Sequence, residues 1–222
     1  STNPIDDWTR QETGQKSVVV GKVSGEAGTT PTDSTTTASS KEVDALLKQM
    51  TLQEKIYQMF LVTPEAITGV DTVVQAGDAT KAALQEQPVG GLIYFAANLE
   101  TQSQTQEMLT TTQDYAKASS NGIGLWLAVD EEGGTVARVA DQLGTTAFSD
   151  MSVYGAENDS TQAYSIGQTI GTDIHGLGFN LDFAPVADVD ICSENELGGR
   201  IFSDDPNVVA NMVSNVVKGL QN

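Results

Sequence analysis

A chain of 222 residues is long enough for one domain with a sizeable core, or for a smaller domain plus a tail. Hydrophobic residues make up 39% and charged residues 18%, ordinary for a globular protein, but 11 basic against 30 acidic side chains leave a net charge of −19. A surface that negative repels phosphate backbones and anionic lipid, so the expected partner is neither nucleic acid nor a membrane surface but a neutral or weakly charged ligand.

The lone cysteine, Cys192, cannot close a disulfide within the chain and reads as a loop thiol. A catalytic thiol would need a histidine base, and the single histidine is His175. No stretch approaches the ~18 apolar residues of a membrane-spanning helix. The start, Ser1-Thr2-Asn3-Pro4, carries neither a basic nor an apolar leader segment, so a targeting peptide was either removed or never present.

Residues 1–41 form the first expected unit. From Gly21 to Lys41 nearly every position is Gly, Ser, Thr, Ala, Pro or charged, too little apolar surface to offset the entropy of ordering. This segment reads as a flexible tail or linker, within which Val18-Val19-Val20 is at most a short strand. Residues 42–222 form the second unit. Val43, Leu46, Leu47 and Met50 share one helical face. Thr51-Leu52-Gln53-Glu54 is a capping box that opens a second helix, with Ile56, Met59 and Phe60 as its apolar side.

Four short runs, apolar on both faces, read as strands: Met59 to Val62, Gly91 to Phe95, Leu125 to Val129 and Leu181 to Val186. Runs of this kind suit parallel strands covered on both sides. Helical stretches lie between them, one from Gln102 to Lys117 capped by Thr101, another from about Thr161 to Gly176. A last helix is capped by Asp205, with Pro206 in its first turn. Its two apolar rows, Val208/Met212/Val216/Leu220 and Val209/Val213/Val217, predict a helix lying on a sheet. The alternation is that of a parallel α/β fold, either an open doubly wound sheet or a (β/α)8 barrel. A closed barrel takes ~250 residues, and the roughly 180 left after the tail suffice for about half of one.

In both architectures the ligand site lies beyond the carboxyl ends of the strands. Two segments place chemistry there. In the first, Leu125 to Val129 delivers Asp130-Glu131-Glu132, then Gly133-Gly134, with Arg138 eight residues after Asp130. A carboxylate accepts hydrogen bonds from two neighbouring sugar hydroxyls at once. Acids after a strand are ordinarily solvated loop charges, but the glycine pair and the returning arginine argue for a built site. In the second segment Asn180-Leu181-Asp182-Phe183-Ala184-Pro185-Val186-Ala187-Asp188 is followed by Gly199-Arg200 just before the capped helix. The plain alternative for Arg200 is a surface ion pair with one of the many acids nearby. Asp130, Glu132, Asp182 and Asp188 as oxygen ligands of a metal-dependent barrel enzyme is a further reading, which leaves Arg138 and Arg200 unexplained.

Asp130-x-Glu-Gly-Gly-x-Val-x-Arg138, Asn180-Leu-Asp-Phe-Ala-Pro-Val-x-Asp188 and Gly199-Arg200-x-Phe-Ser-x-Asp-Pro206 resemble three consecutive blocks of the family 3 glycoside hydrolase barrel. The stretch from Leu46 to Met59 is similar to that family's entry helix and first strand, and the blocks run in family order over about 43–222. The Asp-x-Glu-Gly-Gly form resembles the β-N-acetylglucosaminidase (β-hexosaminidase) branch more than the β-glucosidases. The resemblance implies the first half, about four β/α units, of a TIM-type (β/α)8 barrel, and a retaining hydrolysis of terminal β-linked N-acetylglucosamine. It makes Asp130 and Arg200 substrate-binding, with Arg138 supporting them, and expects no cofactor and no metal. Nucleophile and acid/base, an aspartate and a histidine in this branch, are expected beyond residue 222, in the remaining half of the barrel. His175 lies in a helical stretch remote from the site and does not replace them. A β-glucosidase of the same family and a non-catalytic cell-wall carbohydrate-binding protein are the alternatives. The spacer-like tail and acidic body suggest an extracellular or cell-surface anchored bacterial protein, with an export or lipoprotein signal upstream of Ser1.

Overall fold

The computed structural model describes residues 34–222, with side chains from residue 41 onward. The tail assigned to residues 1–33, including Val18-Val19-Val20, lies outside the described residues. Helix α1 spans Ser34–Gln49, so it begins inside the stretch expected to be linker. After Pro31 that stretch has no glycine or proline, and the modest propensity cost of Ser and Thr does not stop a helix propagating from a better segment. Thr51 then caps α2 (Leu52–Tyr57): its hydroxyl accepts from the Glu54 N–H at 3.2 Å, and its own N–H donates to the Glu54 carboxylate at 2.8 Å.

Four parallel strands follow: β1 (Leu61–Val62), β2 (Gly91–Ile93), β3 (Trp126–Val129) and β6 (Leu181–Asp182), side by side in the order β1-β2-β3-β6. Their register pairs Leu61 with Gly91, Leu92 with Leu127, and Val129 with Asp182. Between β1 and β2 run α3 (Pro64–Thr68) and α4 (Asp78–Glu86); between β2 and β3 runs α5 (Gln102–Lys117). Between β3 and β6 lie a hairpin of β4 (Glu131–Gly133) and β5 (Val136–Ala137), α6 (Arg138–Leu143), α7 (Met151–Glu157) and α8 (Ser160–Leu177); α9 (Pro206–Leu220) comes last. This is a partial TIM-type barrel. Its core joins Leu92, Leu127 and Val129 of the sheet to Met108 and Leu109 of α5 and Ile166, Ile170 and Ile174 of α8.

Several expectations are corrected. The first strand starts at Leu61, because Met59 and Phe60 follow α2 in a turn bonded to Ile56 and Tyr57; both are exposed. The second strand ends at Ile93 instead of Phe95, because Asn98 takes the Phe95 N–H and turns the chain into a short 3-10 helix. The fourth ends at Asp182 instead of Val186; Pro185, joined to Ala184 by a cis bond, has no N–H to continue a ladder. The apolar stripe of α9 lies on α8 and α7 rather than mainly on the sheet. Val209, Met212 and Val216 pack with Ala163, Met151 and Phe202. Gly167 and Gly219 make this possible: a Cβ on either would overlap a carbonyl oxygen of the facing helix, Val216 or Tyr164 respectively.

Candidate functional site

The site grows from the carboxyl end of β3. Val129 pairs with Asp182, and the Phe183 N–H donates to the Val129 carbonyl, so β3 and β6 present their following residues together. Asn180 locks this register: its side-chain oxygen accepts from the Leu127 N–H at 2.7 Å, and its side-chain nitrogen donates to the Leu125 carbonyl.

Immediately after Asp130 the chain folds back on itself. Glu131 pairs with Ala137 and Gly133 with Val136, and the turn holds Gly133 at φ +83 and Gly134 at φ +61, backbone that side-chain-bearing residues rarely adopt. This hairpin explains the spacing of Asp130 and Arg138, since it returns the arginine to the strand end it left. Glu131 is 3% exposed. Its carboxylate accepts from the Val139 and Ala140 N–H groups at 2.6 and 3.0 Å, satisfying the first turn of α6. Burial raises its carboxyl above the ordinary range, and those two donors pull it back.

Glu132 is also buried, at 6% exposure, and holds Arg200 in a fork: Nε to one oxygen at 2.8 Å, Nη2 to the other at 2.6 Å. Arg200 stands in a 3-10 turn, Gly198–Arg200, with its side chain 29% exposed, so one edge of the guanidinium is committed and the other faces outward. The carboxylate grip raises the arginine's pKa further, and the charges of Asp130 and Asp188 add to the rise.

Asp130 is different. Burial raises its carboxyl; the Arg138 and Arg200 guanidinium charges oppose this, and Glu132 reinforces it. No protein donor reaches its carboxylate among the described residues, so its acceptor capacity is held in reserve. Arg138 contributes charge, and its buried Nε has no partner among those residues. Asp182, beside them, takes the Glu131 N–H at 2.9 Å on one oxygen, while the other is buried with no partner among the described residues. Burial pushes its carboxyl up to about 8; the Glu131 N–H opposes this, and the charges of Glu131, Asp130 and Glu132 reinforce it.

The charges of Arg138 and Arg200 both act on Asp130, so the three groups share one electrostatic neighbourhood. The surface ion pair expected as the alternative for Arg200 is corrected: Arg200 does pair with an acid, but with the buried Glu132, 68 positions away. The oxygen-ligand reading fails on geometry: both Glu132 oxygens are taken by Arg200, and no three His, Cys, Asp or Glu side chains converge for a metal among the described residues. His175 is exposed in the last turn of α8, and Cys192 is exposed in the loop after β6. The roles of Glu131 and Glu132 were missed because three consecutive acids look alike in a sequence; the one available signal was that alternate positions after a strand face different ways.

The family model described as glycosyl hydrolase family 3 N terminal domain matches residues 51–222. The chain belongs to this family. A beta-hexosaminidase of Bordetella avium is 34% identical to it over 152 residues, 66% of this chain and 42% of that protein. Beta-hexosaminidase A of Pseudoalteromonas piscicida is 32% identical over 137 residues, 60% of this chain and 23% of its own. Among solved structures, the family 3 beta-N-acetylglucosaminidase of Paenibacillus sp. superposes with a TM-score of 0.69 at 30% identity, covering 78% of this chain and 31% of that one. NagZ from Neisseria gonorrhoeae gives 0.61 at 26% identity, covering 72% and 45%. The family 3 domain described here spans less than half the length of these curated relatives.

Proposed function

We propose that this domain supplies the sugar-holding part of a retaining β-N-acetylhexosaminidase, which removes terminal β-linked N-acetylglucosamine. The observation that carries the reading is Asp130: a partly buried carboxylate at a strand end, flanked by two arginine charges, with no protein donor of its own among the described residues. Such a group accepts two vicinal sugar hydroxyls in place of the water it lost. Arg200, gripped on one edge by Glu132, offers its outward edge to the same ring, and Arg138 holds the Asp130 charge in place. Retention requires a nucleophile and a group acting first as acid and then as base. In this proposal both come from segments outside these 222 residues, which also complete the barrel.

The similarity to proteins named beta-hexosaminidase supports N-acetylglucosamine over glucose as the sugar. The net charge of −19 supports a neutral glycan, and the Gly- and Thr-containing stretch over residues 21–33 supports a spacer on an exported or surface-anchored protein trimming wall-derived glycans. An export or lipoprotein signal in the gene, and the protein in the envelope or medium fraction, checks that assignment.

The deciding experiment compares an aryl N-acetyl-β-glucosaminide with the matching β-glucoside on the full-length protein. The N-acetylated substrate is cleaved much faster, and Asp130→Ala lowers kcat/KM by about 2–4 kcal/mol in barrier, the scale of a lost charge-assisted contact. Equal rates on the two substrates overturn the sugar assignment. An unchanged kcat/KM in Asp130→Ala overturns the site.

A further inference from the structure

Glu132 and Arg200 can grip each other only if two segments distant in sequence are held in register. Both segments meet one carboxylate that touches neither Glu132 nor Arg200: that of Asp150. This residue stands at the N-cap position of α7, where an aspartate side chain ordinarily accepts from the backbone of its own helix, yet its side chain makes no such bond. One carboxylate oxygen, Oδ1, accepts instead from the Thr135 N–H at 2.9 Å and from the Thr135 hydroxyl at 2.8 Å.

The same side chain is wedged between two glycines. A Cβ on Gly134 would lie 2.6 Å from Oδ1, and a Cβ on Gly199 would lie 2.5 Å from Oδ2 and 2.9 Å from Cγ. Gly134 belongs to the turn just after Glu132, and Gly199 immediately precedes Arg200. Helix α7 is itself anchored to the second segment, since a Cβ on Gly155 would overlap the Phe202 carbonyl and Met151 packs in one cluster with Phe202. Asp150 is therefore fixed from below while its carboxylate spans both loops.

We propose that Asp150 is a positioning residue that holds the Gly133–Thr135 turn against the Gly198–Arg200 loop, so that Glu132 can grip Arg200 and Arg200 is aimed at the sugar. The sacrifice of the helix cap is what the arrangement costs. Only the last clause rests on the function proposed above; the clamp itself is tested without a substrate.

The test uses the full-length protein with Asp150→Ala, Asp150→Asn, Gly199→Ala and the double variant Asp150→Ala/Gly199→Ala. Two readouts are taken: hydrogen exchange of the Thr135 amide, and KM and kcat on an aryl N-acetyl-β-glucosaminide. Asp150→Ala speeds Thr135 exchange and raises KM, each about tenfold, the scale of coupling within one hydrogen-bonded network, with a smaller change in kcat. Asp150→Asn, which keeps an acceptor for Thr135, restores both. Gly199→Ala alone raises KM because its methyl meets the carboxylate, and in the Asp150→Ala background it adds little, because the obstructing oxygens are gone. The proposal is overturned if Asp150→Ala leaves Thr135 exchange and KM unchanged, or if the Gly199→Ala penalty persists in full in the double variant. Should Asp150→Ala not fold, Gly199→Ala decides: a wild-type KM and wild-type exchange overturn the proposal. Should the wild-type protein cleave no such substrate, the proposed function fails, and Thr135 exchange alone decides the clamp.

Discussion

Removing the two partners of the Glu132–Arg200 pair one at a time should cost very different amounts. Arg200→Ala leaves a carboxylate that is 6% exposed with no cation to hold, and with the charge of Asp130 nearby. Breaking a buried pair from that side costs about 3–5 kcal/mol. Glu132→Ala leaves a guanidinium that is 29% exposed and still near Asp130 and Asp188, so water and two other acids share its charge. That loss is smaller, about 1–2 kcal/mol, the scale of a charge-assisted hydrogen bond discounted for the solvent that screens the guanidinium. For a domain of this size a kcal/mol moves Tm by roughly 2–4 °C, so Arg200→Ala lowers Tm by about 6–20 °C and Glu132→Ala by only a few degrees. Replacing both with apolar residues of similar length, Arg200→Met with Glu132→Leu, should fall well short of the sum, because neither charge is then stranded. Thermal unfolding of the four proteins by circular dichroism makes this comparison. A Glu132→Ala loss equal to or larger than that of Arg200→Ala refutes the argument, and so does a double variant as unstable as the sum.

Two further outcomes follow from particular residues. Asp182 has its pKa raised from 3.8 to about 8, so the folded chain binds a proton there that the unfolded chain has released; stability is highest below pH 4 on this account and falls through the window up to 8. Asp182→Asn should flatten that fall, by at most about 1.4 kcal/mol per pH unit, in urea unfolding measured from pH 4 to 8; an unaltered pH slope counts against a protonated Asp182. Gly167→Ala should destabilise by about 1–3 kcal/mol despite alanine's better helix propensity, because its methyl overlaps the backbone of α9, whereas Gly176→Ala in the same helix, with open space at its Cβ, should be neutral or stabilising. Equal effects at the two glycines would show that α8 and α9 are not in close backbone contact.

Where sequence reasoning succeeded, the deciding interactions are local. Thr101 caps α5 through Gln104, the Asp205 carboxylate accepts from the N–H of Asn207 ahead of α9, and the Thr51–Glu54 box opens α2, each within three positions along the chain. Apolar runs bounded by turns placed the four parallel strands, because a strand buried on both faces has no polar alternation to preserve. The ordered motifs pointed to the family whose model matches residues 51–222.

Tertiary structure alone decided which of 30 acids does what. Asp130, Glu131 and Glu132 are adjacent in sequence, yet one meets only the charges of two arginines and a neighbouring acid, one caps a helix and one grips an arginine 68 positions away. Such assignments depend on the direction each side chain leaves a twisted hairpin and on what folds back to meet it, and local propensity carries neither. The same holds for α9: its apolar stripe specified burial, but its seat on α8 follows from how closely two backbones approach through glycines whose neighbours lie on another helix. Chain-local chemistry set where elements start, stop and hide their apolar faces; long-range packing set which charges meet, because a carboxylate's partner is chosen by proximity in space and the cost of leaving it unpaired.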